Sequence, residues 1–226
     1  MPDAWPAFID DWNRAKAPIN VFHSADCNAF EGEFKGWKRE DRDALVARLL
    51  AVPPKYELYG VAAGINLHDL LAAVEQEPDL VGTPELVSML TGSYGMSLIW
   101  VLLRIIELTE AAGIRKEPLA FFHEQNDFQE EALKAFNLVK ARRKHHTGPM
   151  SIVFDEEKDQ VPLQAADVLA YEANKRFRDP SKPQRRSIAA LGPNITVEGF
   201  AKPNMTRMIS SLREFIERTR REGEPT

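Results

Sequence analysis

Residues 93–112, SYGMSLIWVLLRIIELTEAA, are apolar almost all the way round a helix, and no other feature limits the fold as much. A helix without a broad polar face belongs in the interior of a fold. Gly113 supplies its stop. From there the sequence alternates. EPLAFFHE (117–124) reads as a buried strand, apolar on both faces until His123 and Glu124. Asp127, with Glu130 three residues on, opens a helix running to about Lys144. MSIVFD (150–155) is a second buried strand, and Pro162 suits the first turn of a helix over 162–177. The order helix, strand, helix, strand, helix implies parallel strands joined by crossovers, with helices on both faces.

The first ninety residues carry weaker signals. Trp5, Phe8 and Trp12 recur at spacings of three and four, so 3–16 reads as an amphipathic helix closed by Pro18. INVFH (19–23) reads as a short strand with Ile19, Val21 and His23 on one face. Arg39 to Ala51 is helical by spacing, YELYGVAAGI (56–65) is a strand whose small residues admit a close neighbour, and 67–76 is a short helix. Late in the chain ITVEGF (195–200) reads as a strand, and a last helix runs from about Asn204 to Arg220. If the two early strands pair antiparallel beside the parallel ones, the result is a mixed sheet flanked by helices. The expectation is one α/β domain over 1–226, with its core at about 5–191 and a C-terminal helical extension at about 200–221.

Composition narrows the class further. The chain has 226 residues, 29 basic and 34 acidic, with a formal charge of −5. That balance argues against indiscriminate coating of nucleic acid but leaves two local basic segments, Lys140–His146 and Arg218–Arg221. The longest apolar run, Met96 to Leu103, is stopped by Arg104, well short of the roughly 20 residues a bilayer needs. The N-terminus carries acids where a signal peptide carries basic residues. With Cys27 the only cysteine, no intrachain disulfide forms and a reducing, cytoplasmic setting is expected.

The segment with most chemical information is VPLQAADVLAYEANKR (161–176). On a helix, Leu163, Ala166, Ala170 and Tyr171 lie on or beside one face with Asp167 among them, and the alanines let that face approach a sheet. An acid there costs several kcal/mol unless it meets a cation or a wet cleft. Asp167 is therefore a member of a buried ion pair or an acid facing a metal or substrate. Gln164, one turn earlier, is placed to hold the carboxylate by a hydrogen bond. Glu124 ends a strand of a parallel-rich sheet, where ligand crevices open, or simply reaches water there. His23 and Asp26, in VFHSADC, bind a metal or orient a phosphate, or form a local turn. Asp127 fits a helix N-cap, with metal ligation as the alternative. His123 alternates to the face opposite Glu124 and reads as a packed histidine. DEEKD (155–159) reads as a solvated turn. A single cysteine and no second ligand pair argue against zinc, and no serine-hydrolase elbow, Walker loop or GxGxxG fingerprint is present.

Taken in order, VFHSADC (21–27), FKGW (34–37), SYG (93–95), AFFHE (120–124), SIVFD (151–155), VPLQAADVLAYEANK (161–175) and RRSIAAL (185–191) resemble the family catalogued as domain of unknown function 3800, found widely in bacterial genomes and mobile elements. LQAADVLAY is the most specific of these pieces. The resemblance implies a ribonuclease H-like fold and a metal-dependent, nuclease-like protein. It places Glu124 at the acid ending the fourth strand, Asp167 at the acid on the late helix, and His23 at a histidine the family often shows. The family usually opens with a β-hairpin bearing an Asp-Glu pair, which has no counterpart here. AFIDD (7–11) fits the first helix instead, so the chain is read as starting after that hairpin, with its sheet missing its first strands.

The functional expectation is hydrolysis of RNA or DNA phosphodiesters by Mg2+ or Mn2+ held at Glu124, Asp167 and Asp127, assisted by His23 and Asp26. The alternative is a non-catalytic nucleic-acid-binding or interaction module of a phage or mobile element. An exposed sheet edge also allows a homodimer.

Overall fold

The computed structural model describes residues 4–76, 93–114, 116–142, 148–179, 181, 186–201, 205 and 209–210. In chain order its elements are α1 (Ala4–Lys16), α2 (Ser24–Ala29), α3 (Arg39–Leu50), β1 (Gly60–Ile65), α4 (Leu67–Glu75), α5 (Ser93–Ala111), β2 (Leu119–Glu124), α6 (Gln129–Arg142), β3 (Met150–Asp155), α7 (Val161–Arg178), α8 (Arg186–Ala190) and β4 (Ile195–Phe200). The protein is α/β. Among the described residues no helix is long and apolar enough to cross a membrane. Most of the last predicted helix, residues 143–146 of the first basic segment and the whole of the second, 218–221, lie outside the described residues.

The strands form two two-stranded sheets, β1 with β4 and β2 with β3. Gly60 N–H donates to the Asn194 carbonyl and Asn66 N–H to that of Phe200, so β1 and β4 advance together and are parallel. Leu119 to Pro149 and Gln125 to Asp155 show the same for β2 and β3. The expected strand–helix–strand alternation is thus present, with α6 between two parallel strands. The expected mixed sheet is not: among the described residues both pairs are parallel. The strand read over 56–65 is also shortened, because Pro53–Tyr56 forms a 3-10 turn and β1 starts only at Gly60. A Cβ at Gly60 would run into the side chains of Ile195 and Leu169, which is the close neighbour its small residues implied.

The segment 19–23 is not a strand. Its buried residues are Ile19 and Phe22, three apart, so the alternation of a strand is absent. Its backbone donors are taken by side chains from elsewhere. Asn20 and Val21 N–H donate to the Glu33 carboxylate at 2.9 and 3.0 Å, and Phe22 N–H to Gln164 Oε1 at 3.2 Å. A buried donor needs an acceptor of some kind. Here the single carboxylate of Glu33 and the distant amide of Gln164 replace the ladder.

The chain divides into two compact units. The first comprises Met1–Ala62, Phe122–Gln125 and Phe154–Val197. Phe8, Trp12, Phe34, Leu45 and Leu49 are its most deeply buried large side chains, contributed by α1, α3 and the Gly32–Phe34 turn. The rings of Trp5 and Tyr56 meet Phe8 edge-on with centroids 5.5 and 5.7 Å away. Each such buried side chain contributes ~1.5–3 kcal/mol. The second unit comprises Ala63–Phe121, Asn126–Val153 and Glu198–Thr226. There α5 packs against α6 through Met96, Ile99, Leu102 and Ile106 on one helix and Ala135, Phe136 and Val139 on the other. Leu98, Trp100 and Leu103 are only half-buried and Glu107 is exposed, so α5 has one buried face rather than an apolar sheath.

Candidate metal centre

The site lies in the first unit and is organised by α7. Pro162 occupies the first turn of that helix, and Val161, Gln164, Val168, Leu169 and Ala173 form its buried face. The expected face is rotated: Ala166 and Ala170 are exposed, since alanine suits a solvated helix surface as well as a close contact. Asp167 and Tyr171 sit at the border between the two faces.

Gln164 is completely buried. Its Oε1 accepts from the Trp12 indole N–H at 3.1 Å and from Phe22 N–H at 3.2 Å, while its Nε2 donates to the Glu157 carbonyl at 2.9 Å. The amide is therefore committed to α1 and to two loop segments. It does not hold the Asp167 carboxylate, as the sequence suggested, and would not itself touch a cofactor. What it does is fix the backbone on either side of the site. Asp167 instead accepts the Ser24 N–H at 2.7 Å, the first residue of α2. His23 precedes that helix and makes no capping bond with its side chain, and Asp167 satisfies one of the orphan N–H groups of the helix's first turn from outside.

These anchors bring three side chains together. One nitrogen of His23 and one carboxylate oxygen each of Glu157 and Asp167 lie within 4.8 Å of one another. Two carboxylates at that separation repel by roughly 3 kcal/mol at an effective dielectric of 20. Among the described residues no Lys or Arg pairs with either acid. Glu157 is the deeper of the two, about 9% exposed, and its carboxyl has no hydrogen-bond partner among the described residues. Burial, then the charges of Asp167 and Glu124, push its pKa from 4.5 up to about 7, with Asp26 adding to the rise and His23 opposing it. His23 Nδ1 is likewise buried without a hydrogen bond, with Asp26 Oδ1 3.8 Å away. A divalent cation fits this donor set: it would neutralise the paired carboxylates and take one imidazole nitrogen of His23 as a further ligand.

Of the residues singled out in the sequence, His23 and Asp167 are in the cluster. Glu124 and Asp26 flank it, close enough for their charges to act on Glu157. Asp127 belongs to the other unit, outside this cluster, on the exposed turn before α6. It is not the observed cap either: Asn126 Oδ1 accepts the Phe128 N–H at 2.9 Å, and α6 begins at Gln129. His123 is buried, its ring 5.2 Å from that of Phe154. Glu157, read as part of a solvated turn, is the member that sequence reasoning missed. A signal did exist. Glu157, Gln164 and Asp167 are spaced seven and three apart, a helical stripe continued backward through the turn.

No family model, curated protein or solved structure matches the chain. The geometry and chemistry of the cluster therefore carry the functional reading.

Proposed function

We propose that the protein is a divalent-metal-dependent hydrolase of nucleic-acid phosphodiesters, built on a ribonuclease H-like plan as its resemblance to the domain of unknown function 3800 family implies. The observation that supports this reading is the convergence of His23, Glu157 and Asp167, with His23 Nδ1 buried and without a hydrogen bond among the described residues. These three residues would hold Mg2+ or Mn2+, the imidazole favouring Mn2+ as the better probe. When bound, the ion supplies an activated water and a counter-charge for a phosphoryl oxygen.

The chain's own groups have definable tasks. Asp167, oriented by Ser24 N–H, presents a fixed carboxylate. Glu157, whose pKa in the ion-free protein is pushed up to about 7, would lose its proton on taking the ion, so ion binding there strengthens as pH rises through the neutral range. Glu124 and Asp26 deepen the negative potential at the rim, which attracts cations to the site.

Mn2+ titration by calorimetry tests the assignment, followed by cleavage assays on single- and double-stranded RNA and DNA. Glu157→Gln and Asp167→Asn are expected to weaken Mn2+ binding by about tenfold or more each and to abolish cleavage. Unchanged Mn2+ affinity in both variants would overturn the site, and no cleavage of any substrate by Mn2+-saturated protein would overturn the activity.

A further inference from the structure

A second feature of the first unit is a half-open pocket of about 110 Å³ between α2, α3 and α7. Its walls include Phe22, Val46, Leu50 and Val168, and its rim includes Asn28, Arg42, Asp43, Glu172 and Lys175. We propose that this cavity seats the base of a pyrimidine nucleotide whose phosphate lies at the neighbouring carboxylate–histidine cluster. The identity of the ligand rests on the phosphodiesterase reading above, and the cavity's size, charge and position rest on the structure.

Size comes first. An engineered apolar cavity of ~150 Å³ holds one benzene ring, whereas sites enclosing drug-sized ligands run from ~300 to 1,000 Å³. At about 110 Å³, and open to solvent on one side, this pocket takes one planar ring only with part of its edge at the mouth. Charge comes second. Arg42 and Lys175 on the rim are balanced by Asp43 and Glu172. Arg42 Nε and Nη2 both bond Asp43 Oδ1, at 3.0 and 2.6 Å, and Lys175 Nζ lies 3.8 Å from Glu172. Such a rim gives a phosphate group no net attraction. It offers instead separate hydrogen-bonding groups. Arg42 Nη1 and Asn28 Nδ2 remain as donors without a hydrogen bond among the described residues, and Asp43 Oδ2, ion-paired with Arg39 Nε at 3.7 Å, keeps capacity as an acceptor. An uncharged ring with donors and acceptors on its edge matches that set, and a nucleobase is such a ring.

Position comes third. Ser24 belongs to both places: its N–H holds Asp167, and it lines the cavity. Along α7 the cavity residues Val168 and Tyr171 follow Asp167 by one residue and by one turn, a rise of roughly 5–6 Å. A base in the cavity and a phosphate at the acids are thus separated by about the reach of a ribose.

The test uses the full chain in EDTA with unphosphorylated ligands, so that neither the metal nor repulsion between a phosphate and the bare acids enters. Cytidine, adenosine and ribose are titrated while amide shifts of Ser24, Asn28 and Val46 are followed by NMR. Cytidine is expected to bind about tenfold tighter than ribose, and more tightly than adenosine. Val46→Trp, which fills the pocket, is expected to remove that preference. Asp43→Ala, at an exposed position and so without risk to folding, is expected to weaken cytidine about fivefold. Equal affinity for ribose and cytidine, no binding of cytidine, or an unaltered preference in Asp43→Ala would overturn the proposal. Mn2+ binding is read separately. Mn2+ binding without base preference sinks the cavity assignment alone, and base preference without Mn2+ binding sinks the metal reading alone.

Discussion

Replacing Glu157 by glutamine removes a buried charge that the fold accommodates poorly, and the consequence can be worked out with its sign. The folded-state pKa of Glu157 is about 7 against an ordinary 4.5, so folding favours the protonated acid. Below pH 4.5 the wild-type protein carries no cost from this group. Between 4.5 and about 7 the unfolded chain ionises first, and stability falls as pH rises; above about 7 the loss is complete. The rise in pKa caps that loss at ~3 kcal/mol. Water around the exposed Glu124 and half-exposed Asp26 screens part of it, leaving about 1–2 kcal/mol. Glu157→Gln should therefore match wild type at pH 4 and exceed it by that amount at pH 8. In urea, with EDTA present, this is a midpoint increase of roughly 0.5 M at pH 8 and none at pH 4. Saturating Mn2+ should reverse the order, because an ion at 100 times its Kd stabilises wild type by about 2.7 kcal/mol and the variant by less. A variant less stable than wild type at pH 8 in EDTA, or a gain of equal size at both pH values, would refute the reasoning.

Two further substitutions probe how the cluster is held. Gln164→Leu leaves the Trp12 indole and Phe22 N–H without their shared acceptor, so unfolding free energy should drop by about 2–5 kcal/mol, measured by urea titration with tryptophan fluorescence. At Gly32 the backbone has φ +56°, and a Cβ there would lie 2.7 Å from Asp26 Oδ2. Gly32→Ala should cost about 1–3 kcal/mol in the same assay and displace Asp26, with a measurable loss of Mn2+ affinity; unchanged stability would show that the turn relaxes freely.

The parts of the fold that announced themselves are those with a local period. The helices from Ser93 and from Val161 follow from spacing and from Gly113 and Pro162 at their ends; the strands at 119–124 and 150–155 follow from short apolar runs, but they are not buried on both faces as expected, since Phe122 and Val153 are exposed. Asp167 was legible for a related reason, as a charge beside a run of apolar residues. What escaped is non-local. Nothing near 19–23 indicates that Glu33, Gln164 and Asp167 take the donors of residues 20–24 in place of a neighbouring strand. Glu157 escaped because a polar turn looks the same in sequence whether it is solvated or folded inward. Asp127 misled for the converse reason: its spacing to Glu130 fits a helix start, while Asn126 performs the capping.

The bonds that shape the cluster join residues 142, 143 and 152 positions apart in the chain. The geometry of the cluster is consequently an all-or-nothing attribute of the finished molecule. A nascent or proteolysed product that ends before α7 would contain His23 and Asp26 but would lack the groups that seat them. Exchange protection at the Phe22 and Ser24 amides would then serve as a direct gauge of whether the two distant stretches have docked.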